Sequence, residues 1–168
     1  MKRFCQHLLL ITCNIFLVLT LNAQENLIKV QAPKFKEDTF SIKKFGAIND
    51  AITLNTKAIN DAIVACNKNG GGVVLVPGGM WLTGPIVLKS NVNLHIQRDA
   101  VLQFTADVNQ YNLVQGNWEG LPAFRNQSPI SADGAENIAI TGKGIIDGNG
   151  DVWRAVKKDK LTETQWKK

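Results

Sequence analysis

Asp147 and Asp151 stand four residues apart around Gly148-Asn149-Gly150. Two carboxyl groups so placed could divide acid–base work, one donating a proton while the other accepts one. The competing reading is local: Asp beside Gly and Asn is a common turn residue that hydrogen-bonds its own backbone. Asp99, Asp107, Asp133 and Glu136 have no identifiable acidic partner. Cys66 falls on the apolar face of an expected helix with no His nearby, and His95 sits in a strand pattern. A buried thiol acting as a small hydrophobe is therefore the default there, rather than a nucleophile. Gly70-Gly71-Gly72 has the wrong order for a phosphate cradle. Nucleotide-binding loops run strand, glycines, helix, whereas here a helix precedes the glycines and Val73-Val74 begin a strand. Gly142-Lys143-Gly144 likewise leads into a strand. No residue pattern here calls for a cofactor or a metal.

The elements that must carry these residues follow one rhythm. VVLV at residues 73–76, IVL at 86–88, NVNLHI at 91–96, AVLQF at 100–104 and the stretch NIAITGKGIIDGNG at 137–150 are short apolar strands separated by sharp turns, among them Pro77-Gly78-Gly79, Gly84-Pro85 and Gly148-Asn149-Gly150. Strands this short cannot stand as isolated hairpins and must stack on neighbours. Repeated without intervening helices, they predict an all-β solenoid of stacked coils. The segment at residues 40–47 reads as a further strand ending at Gly46. The clear helix, residues 58–66, carries Ile59, Ala62, Ile63 and Cys66 on one face, with Asn55 as its cap and Asn69-Gly70 as its exit. It is expected to cover the apolar interior and open edges of the first coil. Residues 105–127 break the rhythm as a long loop with scattered aromatics, and from Asp151 onward the pattern turns helical and charged.

Lys2 and Arg3, an apolar run over residues 8–21 and Ala23 form the pattern of a secretory signal peptide, residues 1–23. The run is too short and too interrupted for a membrane span. A secreted or periplasmic protein is expected, with a flexible lead-in over residues 24–39. Of three cysteines only Cys66 lies beyond the signal, so no internal disulfide forms. The net charge of +5 falls to +3 without Lys2 and Arg3, and much of the remaining excess comes from Lys157, Lys158, Lys160, Lys167 and Lys168. With no basic stripe interleaved with aromatics, nucleic acid is not expected as a partner.

In this order the pieces resemble the N-terminal portion of glycoside hydrolase family 28, the polygalacturonases and related pectin hydrolases. The segments that carry the likeness are Phe45-Gly46-Ala47, the helix, GGGVVLVPGG at 70–79, WLTGPIVLKSNVNLHI at 81–96, SPI at 128–130 and NIAITGKGIIDGNGDVW at 137–153. The resemblance implies a right-handed parallel β-helix of the pectate-lyase-like superfamily, with an N-terminal capping α-helix. It also implies hydrolysis of polygalacturonate or rhamnogalacturonan by inversion, through two carboxyl groups about 6.5–9.5 Å apart. The family draws these from an Asn-Thr-Asp motif and an Asp-Asp pair, with Gly-His-Gly and Arg-Ile-Lys completing the site. Here Asn55-Thr56 is followed by Lys57, no Asp-Asp pair exists, His95 lies between Leu94 and Ile96, and Arg98 precedes Asp99. No catalytic residue carries over. Residues 40–168 are therefore expected to be the first part of a β-helix domain, incomplete and inactive alone.

The implied partner is a pectic polysaccharide, and Tyr111 and Trp118 are the candidates to stack on its sugar rings. Two other functions stay open. A non-catalytic carbohydrate-binding β-helix would need aromatics in line along one face, for which Trp81, Tyr111 and Trp118 are available. A lyase of the same superfamily would need an acidic Ca²⁺ cluster, which the sequence lacks.

Overall fold

The computed structural model describes residues 32–154 and 160–167. The expected signal peptide, residues 24–31 of the expected lead-in, Lys157, Lys158 and Lys168 lie outside the described residues. Among those described, no helix is long and apolar enough to cross a membrane.

The chain opens with β1 (Thr39–Ser41), β2 (Asp50–Leu54) and α1 (Thr56–Lys68). Then come β3 (Gly72–Val76), β4 (Gly79–Thr83), β5 (Ile86–Val87), β6 (Val92–Ile96) and β7 (Ala100–Phe104). A hairpin of β8 (Leu113–Trp118) and β9 (Leu121–Asn126) precedes β10 (Ile130–Ser131), β11 (Ala139–Gly142) and β12 (Ile145–Asp147). A one-turn helix, α2 (Glu163–Trp166), comes last.

Strand order is β1-β3-β6-β11 in one sheet, β2-β4-β7-β12 in a second and β5-β10 in a third, every pairing parallel. Successive circuits of the chain thus stack strand on strand in the same sheets, which is a parallel β-helix, with the right hand that parallel crossovers adopt. Register puts like on like: Val74 pairs with Leu94 and Leu94 with Ile140, while Trp81 pairs with Leu102 and Leu102 with Ile146. Alternation then sends every second residue inward. Val74, Val76, Leu94, Ile96, Leu102 and Phe104 fill the interior around Trp81. Ile140 and Ile146 continue these columns but are exposed, since no described strand lies beyond them.

The helix occupies the place a strand of the third sheet would take in the opening circuit. Ile59, Ala62, Ile63 and Cys66 are fully buried against Ile42 and the first coils. Its polar side chains treat the open edge of β5 as a strand would: Val87 N–H donates to Asn60 Oδ1 (2.9 Å) and Asn60 Nδ2 donates to Pro85 O (3.0 Å). Asn67 Nδ2 does the same for Ser90 O at 2.9 Å. An unpaired strand edge is thereby satisfied as well as covered. Asn60→Ala strips two partners from half-buried backbone groups, and an expected loss of about 1–3 kcal/mol should appear as a lower urea midpoint. An unchanged midpoint would show that the edge does not need the helix.

Several local expectations are corrected. The strand expected over residues 40–47 is only β1, because a 3₁₀ turn, Ile42–Phe45, closes with Gly46 N–H on Lys43 O and swings Ile42 into the core. Asn55 flanks α1 but makes no side-chain cap. It is buried, accepting from Ile48 N–H (2.7 Å) and donating to Ile48 O, Thr53 O and Leu82 O. At the helix exit Asn69 keeps a negative φ, and Gly70 supplies the left-handed residue. Gly71 N–H bonds Cys66 O, and Gly70 N–H bonds Asn67 O.

The long loop is also corrected: it contains the antiparallel β8–β9 ribbon, closed by Glu119-Gly120, both at positive φ as a primed two-residue turn requires. Pro122 concealed that strand from a sequence reading. Both strands of a two-stranded ribbon are edges, however, and edges tolerate proline.

Candidate functional site

Where the ribbon rejoins the coils, Arg125, Asn126, Gln127, Ser128 and Pro129 line one side of an open cleft of about 430 Å³, with Gly148 and Trp153 on the other. Local folding sets each group. Gln127 N–H bonds Asn112 O at 2.7 Å, closing the base of the ribbon, and Pro129 O then accepts from Ile86 N–H to start β10. On the facing side the chain leaves β12 through Gly148 and Asn149 into a 3₁₀ turn, Gly150–Trp153.

Two aromatic contacts fix the principal groups. The Arg125 guanidinium lies 4.7 Å over the Trp118 ring, a cation–π contact that leaves its N–H donors available. Trp153 meets Tyr111 edge to face, centroids 4.9 Å apart. Tyr111 is only 4% exposed and anchored by its hydroxyl on Thr105 O at 2.9 Å; burial pushes its phenol pKa up.

The two aromatic candidates therefore separate. Tyr111 presents no open face and acts by seating Trp153, whereas Trp118 is 56% exposed near the ribbon tip and seats Arg125. Arg125 and Trp153 went unremarked as site residues in the sequence. One signal was present: Arg125 is the sole cation between Arg98 and Lys143.

The carboxylates are arranged for structure. Asp147 accepts from Gln103 Nε2 (2.9 Å) and from Asn149 N–H (2.9 Å), the latter an Asx turn. Gln103, and then the Asn149 amide, hold its carboxyl below the ordinary range, so it stays ionised. An acid that must deliver a proton near neutrality needs the opposite shift. Asp151 is exposed and faces Arg154 at 3.6 Å, a weak surface pair.

The remaining acidic candidates are dispersed. Asp107 caps the 3₁₀ turn Val108–Gln110, its carboxyl lowered by Gln110 and Asn109. Asp99 and Glu136 use backbone carbonyls to hold Gly79 and Asn91, and Asp133 lines a separate shallow cleft with Asn67 and Ser90. Cys66 is buried and free, its thiol pKa raised by desolvation and by Asp38. His95 lies on the outer face of β6, against Thr141. Among the described residues, then, the cleft assembles a cation, amides, a hydroxyl and an indole ring: groups that bind a polar, anionic ring but do not transfer protons.

Comparison with known proteins gives the wider setting. The family profile described as rhamnogalacturonase A/epimerase, pectate lyase-like, matches residues 39–165. A probable polygalacturonase of Vitis vinifera is 38% identical over 122 residues, covering 67% of this chain and 25% of the relative. The hyperthermoactive exopolygalacturonase of Thermotoga maritima superposes with a TM-score of 0.66 at 36% identity, covering 71% of this chain and 27% of that one. The family 28 exopolygalacturonase of Yersinia enterocolitica superposes at 0.62 with 35% identity, covering 68% and 21%. The chain spans about a quarter of the length of these relatives.

Proposed function

The chain belongs to the rhamnogalacturonase A/epimerase, pectate lyase-like family, and from that premise we propose that it serves the hydrolysis of pectic polysaccharide outside the cytoplasm. The polymer is polygalacturonate or rhamnogalacturonan, cleaved by inversion. The coils described here contribute the grip on the substrate, and the two catalytic carboxyl groups are not among their residues. Export follows from the signal-peptide pattern of residues 1–23.

The observation that carries this reading is the cleft between Arg125 and Trp153. A uronate ring has one apolar face of C–H groups and one carboxylate. The indole suits the first, and the Arg125 fork suits the second, with charge-assisted and potentially bidentate hydrogen bonds. Gln127, Asn126 and Ser128 offer donors and acceptors for the ring hydroxyls.

The test is a titration of the full chain with trigalacturonate, followed by tryptophan fluorescence, with the neutral trisaccharide of galactose as control. Binding of the acidic sugar should quench the signal. Arg125→Ala should weaken it by about tenfold or more, the worth of one charge-assisted contact, and Trp153→Phe should remove most of the quench. No reducing ends should be released. Equal affinity for the neutral sugar, or an Arg125→Ala variant that binds as the parent does, would refute the assignment. Reducing-end release above that of a heat-killed sample would place catalysis within these coils and make Asp147 and Asp151 the first residues to replace.

A further inference from the structure

A second cationic cleft lies at the corner between the first and second sheets. On the outer face of β6 and β11, Thr141 Oγ1 donates its hydrogen to Asn93 Oδ1 at 2.8 Å. That hydroxyl has no second hydrogen, so in its 2.9 Å contact with His95 Nδ1 it must accept, and the imidazole must donate. Neutral His95 therefore carries its proton on Nδ1, and Nε2 keeps a free lone pair with no partner among the described residues. One step along the chain, the corners of successive coils stack. Lys143 N–H and Gly144 N–H both donate to Ile96 O, at 3.1 and 3.2 Å, which sets the Gly142-Lys143-Gly144 turn upon the Gln97-Arg98-Asp99 turn. His95, Arg98, Gly142 and Lys143 line the resulting cleft, about 420 Å³ in volume.

Neither Arg98 nor Lys143 forms an ion pair among the described residues. Asp99, the acidic neighbour in sequence, has its Cβ turned toward Gly78 on the preceding coil and does not line the cleft. Two unneutralised cations that line one cleft from consecutive coils, the coils themselves one strand spacing of about 4.8 Å apart, attract carboxylate. A histidine whose free nitrogen is an acceptor selects differently, since it needs an O–H donor. A bare sulfate has none, and a neutral sugar has no charge for Arg98 and Lys143.

We propose that the His95–Arg98–Lys143 cleft is a second binding site for a hydroxylated sugar acid. Arg98 and Lys143 hold the carboxylate, and His95 Nε2 accepts from a hydroxyl of the same or the adjoining ring. The ligand class rests on the reading of the chain as serving a polyuronate. The function of such a site is retention: a polymer held at two separate clefts dissociates far more slowly than from either alone, because the second contact is made at high effective concentration.

The experiment is calorimetric titration of the full chain with trigalacturonate, with galacturonate and with sulfate. Three variants are compared: Arg125→Ala, the double variant Arg98→Ala/Lys143→Ala, and His95→Phe. The substituted side chains at 98 and 143 are exposed, so the fold is kept, and Lys143→Arg serves as the conservative control. Two classes of site are expected for trigalacturonate. The double variant should lose one class, by about tenfold or more in affinity, while retaining the fluorescence-reported site at Trp153. Lys143→Arg should keep both, and His95→Phe should abolish the preference for galacturonate over sulfate. Free galacturonate binding as tightly as the trimer would identify a free sugar acid as the ligand; tighter trimer binding would identify the polymer. Wild-type stoichiometry and affinity in the double variant, with binding lost in Arg125→Ala, would overturn this inference and leave the proposed function standing. Sulfate competing as well as galacturonate would overturn the ligand class, and no binding of any uronate would overturn both readings together.

Discussion

Ile63→Asp is expected to abolish cooperative folding of the coils. Ile63 is fully buried on the inner face of α1, packed with Ile59, Ala62 and Cys66 against Ile42 and the first coil. Truncating such a side chain costs about 2–5 kcal/mol. Placing a carboxylate there adds the cost of desolvating a charge with no partner, several kcal/mol more. A domain of this size holds about 5–15 kcal/mol in total, so the sum reaches the whole of it. The measurement is the urea or thermal transition followed by far-ultraviolet circular dichroism. Loss of the sigmoidal transition, or a large fall in its midpoint, is the expected outcome. Ile52→Asp is the matched control: Ile52 is 80% exposed on β2, and its replacement should move the midpoint by less than about 0.5 kcal/mol. A sharp, unshifted melt for Ile63→Asp would mean that the helix is an appendage and the coils close without it.

The helix and the strands behind this prediction were legible in the sequence for separate physical reasons. The stripe Ile59-Ala62-Ile63-Cys66 keeps the helical period, so its buried face could be named residue by residue. Val73–Val76 is short, β-branched or aliphatic, and bounded by Gly72 and Pro77, and that punctuation marks the turns of a coil; Ala100–Phe104 repeats the short apolar pattern. What failed to show was anything decided by contacts distant along the chain. Asn55 has the chemistry of a helix cap, yet the carbonyl of Leu82, a full circuit later, helps claim its side chain. Asn60 and Asn67 look like solvated residues of a helix until β5 and Ser90 arrive to be paired.

The sites divide in the same way. The Asp147 turn could be read locally, since Gly148-Asn149 announces an Asx turn, and the structure adds Gln103 from the preceding coil. The Arg125–Trp153 cleft could not, because β10, β11 and β12 lie between its two sides in the sequence. In a solenoid, chemistry assembles across the stack, between residues one circuit apart, so linear spacing carries little of it. His95 with Thr141 and Arg98 with Lys143 illustrate this: each pair is some 45 residues apart in sequence and adjacent only because the coils keep register.

That register hangs on a few corners, and Gly142→Val should be the most disruptive of the single changes there. Gly142 has φ +105°, a conformation that costs a residue with a side chain about 1–2 kcal/mol. A Cβ added at this position would overlap the carbonyl of Ile96. The same carbonyl receives two hydrogen bonds, from Lys143 N–H and Gly144 N–H, so the overlap cannot be relieved without parting the turn from the coil beneath. Adding about 1 kcal/mol for each bond lost, the expected destabilisation is about 3–4 kcal/mol, with β11 and β12 detaching before the earlier coils.

Hydrogen exchange resolves that order. Amides of β11 and β12 should lose protection in Gly142→Val while those of β3 and β4 keep theirs, the behaviour of a stack whose coils contact only their neighbours. Gly148→Ala is the contrast, since its backbone is not in the left-handed region and a Cβ there meets nothing within 4 Å; it should be nearly silent. If Gly142→Val instead keeps full protection in β11 and β12, the turn can re-form without its seat on Ile96, and the corner that places Lys143 beside Arg98 is held by something other than that carbonyl.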